Sequence, residues 1–284
     1  MNSSAFQCGR YRLPIRGDGR PLIMGILNIT PDSFFDGGRF QSLESALSHA
    51  EQMIDAGVDI IDIGAESSRP GAVPIPLDEE LRRILPVVFA LRDCGKPLSI
   101  DTTKPQVMAE TLAAGADMIN DINGFRHPDA LTTIKGSDCG LCIMHMRNEP
   151  QTMQHDPVYQ DVAAEVAAFL QNRIQACTLA GVDLARVCID PGFGFGKTLD
   201  NNLALLKAIP QLNDTLNVPV LAGLSRKSMV GLLTGKPVEQ RLAGSLGAAI
   251  AAAVNGAAIL RVHDVVETID ALTVFRATAL GATR

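Results

Sequence analysis

The chain has 284 residues, 46% of them hydrophobic, and a formal net charge of -6. That content is ample for one well-buried core, and the negative balance argues against a general nucleic-acid surface, so an anionic ligand must be held by local positive groups. Six scattered cysteines, and an N-terminus without a basic segment leading into an apolar stretch, fit a cytoplasmic protein that neither enters a membrane nor leaves the cell.

Residues 1–20 read as an irregular N-terminal extension, with Gly17-Asp18-Gly19 as a turn, and suit a small hairpin or plug. From residue 21 to 284 the chain reads as one domain. Eight aliphatic runs each stop at a polar cluster. Residues 22–27 stop at Asn28, the run at Ile60 at Asp62 with 66–69 beyond it, and 98–100 at Asp101. Met118 leads to Asn120 and Asp121, and 141–144 to His145. Residues 187–189 lead to Asp190, 218–222 to 225–227, and Ile259 to Arg261 and His263. Helical patterns lie between them at 43–56, 77–92, 106–114, 162–180, 203–208, 240–254 and 265–278, with a short one near 128–134.

The runs are continuous, as in strands covered on both faces, so the sheet is parallel. Strand and helix alternating eight times predict an α/β fold, a single-domain (β/α)8 TIM barrel whose working groups gather at the C-terminal ends of the strands. Gly57, Gly115 and Gly181 read as left-handed helix caps on the opposite face. The connections 30–41, 65–76 and 146–157 are long and rich in Gly, Pro and polar residues, as binding loops are. Residues 242–260 carry no charge, but Asn255-Gly256 offers a helix stop, so they read as a close-packed helix followed by the last strand.

Two motifs mislead. The glycines at 192, 194 and 196 before Lys197 miss both the Walker and the dinucleotide registers, leaving a loop that allows close backbone approach to a ligand above Asp190. Cys139 and Cys142 fit C-x-x-C but enter a strand rather than open a helix, and read as buried structural thiols. With five histidines and no HExxH pattern, a protein-bound transition metal is not expected.

Arg261 and His263, two apart on the last strand, leave from one face at the barrel mouth, where Ser225, Arg226 and Lys227 also lie. The pair suits an anion, and equally suits salt bridges to rim acids. Opposite stand Asn28, Asp62, Asp101, Asn120 and Asp190. Buried carboxylates need partners, and a nitrogen heterocycle with an amino-amidine edge would supply them, although Asp101 alone could cap a helix. Asp121, one past Asn120, faces away. A ligand carrying both a heterocycle and phosphates would span the two halves.

Seven segments taken together resemble bacterial dihydropteroate synthase. They are MGILNITPDSF from Met24, ESSRPG from Glu66, SID from Ser99 with Lys104-Pro105, NDI from Asn120, DPGFGFGK from Asp190, SRKS from Ser225 and RVHD from Arg261. The resemblance implies condensation of 6-hydroxymethyl-7,8-dihydropterin diphosphate with p-aminobenzoate, with Mg²⁺ as cofactor and a homodimer as the assembly. It further implies that Asp101, Lys227, Arg261 and His263 are catalytic, and that Asp101, Asn120, Met144, Asp190, Phe195, Gly223, Lys227 and Arg261 bind the pterin. Asn28, Ser68, Arg69, Arg261 and His263 would meet the diphosphate, with Asn28 also on the metal. Phe34, Ser68, Arg69, Pro70, Ser225 and Lys227 would surround p-aminobenzoate. Ala65 stands where the family often has Gly, and Ser68 where many members have Thr. Two other readings of the residues stand beside this one: a corrinoid-linked methyltransferase binding a folate in a similar barrel, which would not need the SRKS cluster, and a pterin-binding protein without catalysis.

Overall fold

The computed structural model describes residues 5–15, 20–29, 39–67, 71–147, 157–279 and 281. In chain order the elements are β1 (Ala5–Cys8), β2 (Tyr11–Pro14), β3 (Leu22–Asn28), α1 (Arg39–Asp55), β4 (Ile60–Gly64), α2 (Leu77–Leu91), β5 (Leu98–Asp101), α3 (Pro105–Ala114), β6 (Met118–Asp121), α4 (Ala130–Ile134) and β7 (Gly140–Met144). Then follow α5 (Val162–Leu179), β8 (Val187–Asp190), α6 (Leu199–Lys207), α7 (Ile209–Leu216), β9 (Leu221–Ala222), α8 (Ser228–Thr234), α9 (Leu242–Val254), β10 (Ile259–Val262) and α10 (Val265–Ala279).

β1 and β2 pair antiparallel as a hairpin. The other eight strands form one sheet in the order β8-β7-β6-β5-β4-β3-β10-β9. Its pairs are parallel, and a parallel bridge between Ile189 and Val220 joins the two ends, closing the TIM barrel. The αβ turns keep glycine where predicted: Gly57, Gly115 and Gly181 have φ of 91°, 113° and 91°, a region costly for a residue with a Cβ.

Alternation along each strand sorts the side chains into two cores. One set faces the helices in a large apolar shell that includes Ile23, Ile61, Ile63, Ile100, Ile119, Ile143 and Ile189. The other fills the barrel's lower interior with Leu22, Met24, Ile60, Met118, Cys142, Cys188, Leu221 and Ile259, closed by Phe6 and Cys8 of the hairpin. Two residues beyond these interior positions come Asp62, Asn120, Met144, Asp190, Gly223 and Arg261. The interior is therefore apolar at its base and polar at its mouth.

Residues 199–216 depart from the single predicted helix at 203–208. Thr198 caps α6 by accepting from the Asn201 amide at 3.2 Å, which starts the helix earlier, and Pro210 in the first turn of α7 begins a second helix. α8 was not foreseen either, because seven residues containing Gly231 carry too little periodicity to announce a helix.

Candidate active site

The mouth is organised around Arg261 of β10. Its Nε donates to Asp62 Oδ2 at 2.6 Å and a terminal nitrogen donates to Asp101 Oδ2 at 2.8 Å, so two strand-end carboxylates bracket one guanidinium. Asn120 Nδ2 also donates to Asp62 Oδ2, at 3.3 Å. The pairs join β4, β5, β6 and β10, and removing one partner from such a buried set costs about 3–5 kcal/mol because it strands a charge. Arg261 thus takes the ion-pair arrangement with interior acids, and Asp101 binds it rather than capping α3, whose N-cap Lys104 has no side-chain cap.

Asp190, Lys227 and Arg261 converge at Gly223. A Cβ placed there would lie 3.7 Å from Asp190 Oδ2 and 3.9 Å from both Lys227 Nζ and the Arg261 Cβ, so glycine leaves the space between them open. Lys227 Nζ donates to the Phe193 carbonyl and sits 4.6 Å from the centre of the Phe195 ring. Phe195, Met144, Met146 and Ile122 form a small apolar patch beside these charges, separate from both main cores. The Lys227 ammonium borders that patch through Phe195, and the opening at Gly223 lies between Lys227, Asp190 and Arg261.

Burial shapes the charges. It pushes the Asp101 carboxyl up to about 7, although Arg261 pulls the other way. The Asp190 carboxyl also rises through burial, opposed chiefly by Lys227. Lys227 is pushed down to about 8 by burial, with Asp190 resisting. For Arg261 burial disfavours the cation, but Asp62 and Asp101 outweigh it, and the guanidinium stays charged.

On the other side of the mouth, His263 Nδ1 lies 3.0 Å from Ser225 Oγ, and the His263 amide donates to the same oxygen at 3.3 Å. Arg226 turns away: its Nε donates to Asp264 Oδ2 at 3.0 Å. Asn28 ends β3 opposite Gly64, where a Cβ would lie 3.8 Å from the Asn28 Oδ1 and 3.4 Å from the Asp101 Cβ. Phe34, Ser68, Arg69 and Pro70 lie outside the described residues. Asp121 turns outward, as read from its position, and accepts from the amides of Asn123 and Phe125 at 2.7 Å each.

Two groups emerge that motif reading did not assign. Lys197 is 4% exposed, donates to the carbonyls of Gly192 at 2.9 Å and Phe195 at 3.0 Å, and meets His145 Nδ1 at 2.9 Å. It braces the glycine loop from within. Burial pushes it down to about 7, and burial with Lys197 beside it pushes His145 down to about 3. Gly192 is required by that close packing: its φ is 73°, and a Cβ there would meet the His145 carbonyl oxygen at 1.8 Å. Its amide donates to Asp190 Oδ1 at 2.7 Å, so the loop's shape is transmitted to the carboxylate. The second group is Lys104, which donates to Glu66 Oε2 at 2.6 Å and pairs with buried Glu80, tying residue 66 to α2 and α3. Only the pairing of the loop's Glu66 with the Lys104-Pro105 motif could have hinted at it.

The pterin binding enzyme family model matches residues 24–263. Over 259 residues the chain is 47% identical to dihydropteroate synthase of Escherichia coli (strain K12), covering 91% of this chain and 92% of that protein. Among solved structures, Burkholderia cenocepacia dihydropteroate synthase complexed with 7,8-dihydropteroate matches with a TM-score of 0.89 at 52% identity, over 98% of this chain and 97% of that one. The Xanthomonas albilineans enzyme with 4-aminobenzoic acid matches with a TM-score of 0.90 at 48% identity, over 99% and 100%.

Proposed function

The chain belongs to the dihydropteroate synthases, a family of pterin-binding enzymes, and on that premise we propose how its barrel mouth divides the reaction among its residues. The activity is condensation of 6-hydroxymethyl-7,8-dihydropterin diphosphate with p-aminobenzoate to give 7,8-dihydropteroate and diphosphate, a step of folate synthesis. The corrinoid methyltransferase reading has no support among these relatives.

The observation that carries the residue assignment is the bracketed Arg261 beside the Asp190, Lys227 and Gly223 convergence. Asp101, Asn120 and Asp190 accept from the pterin ring, Lys227 donates to it, Gly223 leaves it room, and Met144 and Phe195 line its face. Arg261 lies over the ring and, with His263 and Asn28, receives the diphosphate. Ser225 and Lys227 border the p-aminobenzoate side, which Phe34, Ser68, Arg69 and Pro70 complete, Ser68 and Arg69 also reaching the diphosphate.

Among the described residues no group of three or more His, Cys, Asp or Glu could by itself hold a metal. That donor set still fits Mg²⁺, which binds through one or two protein oxygens together with substrate phosphates and waters. Asn28 supplies such an oxygen. Bound there with the diphosphate, Mg²⁺ would neutralise charge on the leaving group.

The methylene C–O bond breaks with its electron pair leaving on a diphosphate oxygen, whose growing charge meets Arg261 and His263. The Asp101 carboxylate steadies the cationic methylene pterin that remains. The arylamine nitrogen then forms the new C–N bond and releases a proton, and an aniline needs no strong base for this. A single-turnover experiment with pterin diphosphate alone tests the order of these events. Diphosphate formed before p-aminobenzoate is added supports the stepwise path, and none at all contradicts it.

The small-residue α9 and the apolar α10 suit pairing of two barrels as a homodimer, and Val254, Val266 and Val274 are exposed there. Sedimentation equilibrium tests that assembly. No helix among the described residues is long and apolar enough to cross a membrane, and we place the enzyme in the cytoplasm with small-molecule substrates as its partners.

A further inference from the structure

Asp62 touches no substrate in the scheme above, yet it is fully buried on the interior face of β4, two residues above Ile60 of the lower core. One oxygen, Oδ2, accepts from both Arg261 Nε and Asn120 Nδ2, while Oδ1 is buried and has no hydrogen-bond partner among the described residues. A buried carboxylate with an unpaired oxygen carries a desolvation cost that its contacts only partly offset, and an all-apolar replacement of the whole charged set would stabilise the fold at least as well.

We propose that Asp62 is a positioning residue that sets the hydrogen-bond polarity of the pterin subsite by orienting Asn120. A carboxylate paired with a guanidinium can only accept. Asn120 must therefore turn its NH₂ toward Asp62, because the flipped amide would set oxygen against oxygen. The Asn120 oxygen then becomes the group left for a ligand. With Asp101 and Asp190 it makes a set of acceptors, and Lys227 is the donor across from them. Such a mouth selects a ring edge rich in N–H groups and rejects one presenting oxygen at the Asn120 position, since facing acceptors leave buried groups unpaired. The inference rests on the pterin reading of the mouth and adds to it the residue that fixes which way one contact points.

The test is a double-substitution cycle read by calorimetric titration with 6-hydroxymethylpterin, with thermal melts confirming that each protein is folded. Asp62→Leu frees the Asn120 amide to flip and weakens pterin binding ~10-fold, the loss of one oriented hydrogen bond. Asn120→Asp in the native background sets two carboxylates against each other and also weakens binding. In the Asp62→Leu background the same Asn120→Asp change strengthens binding, because an aspartate there can only accept. This reversal of sign is not expected of a residue that merely supports the fold. Binding by Asp62→Leu equal to the native protein, or Asn120→Asp harmful to the same degree in both backgrounds, overturns the proposal. Should Asp62→Leu not fold, the folded double variant decides: pterin binding within ~10-fold of native supports the proposal, and no binding overturns it. Failure of the native protein to bind the pterin would instead overturn the reading of the mouth itself.

Discussion

Replacing Lys197 with methionine removes the internal brace of the glycine loop while keeping the length of the buried side chain. Three buried acceptors lose their donor: the carbonyls of Gly192 and Phe195 and the Nδ1 of His145. At ~1–3 kcal/mol for each group left unpaired, the loss is roughly 3–9 kcal/mol. Against this stands the cost of the buried ammonium. Its pKa falls from 10.5 to about 7, and at 1.36 kcal/mol per unit that is about 5 kcal/mol already borne by the native fold. The two nearly offset, so Lys197→Met should cost only ~1–2 kcal/mol, a shift in Tm of a few degrees. Function should suffer more. The loop fixes Asp190 through the Gly192 amide and carries Phe195 and the Phe193 carbonyl that holds Lys227. KM for pterin diphosphate should rise ~10-fold or more, since small displacements of positioning groups are costly. The folded pKa lies below the unfolded one, so Lys197 contributes its stability fully above about pH 10.5 and loses it as pH falls toward 7. The Tm gap between native and variant should accordingly widen from pH 7 to pH 9.5. An unchanged pterin KM in a folded variant, or a gap that narrows with rising pH, would refute this reasoning.

Lys227 should set the alkaline limb of activity. Burial brings it down to about 8, so kcat/KM for pterin diphosphate should fall above that pH as the donor loses its charge, and Lys227→Arg should remove the limb even if the rate drops. Asp121→Ala strips the acceptor from the amides of Asn123 and Phe125 and should cost ~2–6 kcal/mol of stability, seen as a lower Tm. Both substrate KM values should stay near native in that variant, because Asp121 faces the loop and not the mouth.

The barrel could be read from the chain because each strand repeats one pattern, an aliphatic run ending in a polar residue on the interior face. That periodicity also placed Asp101, Asn120, Asp190 and Arg261 at one mouth. It could not show which of them pair. Asp62 and Arg261 are 199 residues apart, and nothing local to either signals that they share a hydrogen bond. Lys197 was hidden for a different reason. It ends a glycine run that reads as a failed phosphate motif, and its inward direction depends on positive φ values at Gly192, Gly194 and Gly196. The predicted helix at 203–208 stops short of α7, whose Pro210 is well placed in a first turn.

The central claim is that a pterin diphosphate bound at the mouth surrenders its diphosphate with the help of Arg261 and is captured by an arylamine. Diphosphate release measured on the native protein, with and without p-aminobenzoate, tests it directly. Sustained turnover should require the arylamine, and Arg261→Ala should lower it at least ~100-fold, as expected for removing a charge aimed at the leaving group. A native protein without arylamine-dependent release, or a folded Arg261→Ala variant turning over at the native rate, would contradict the account.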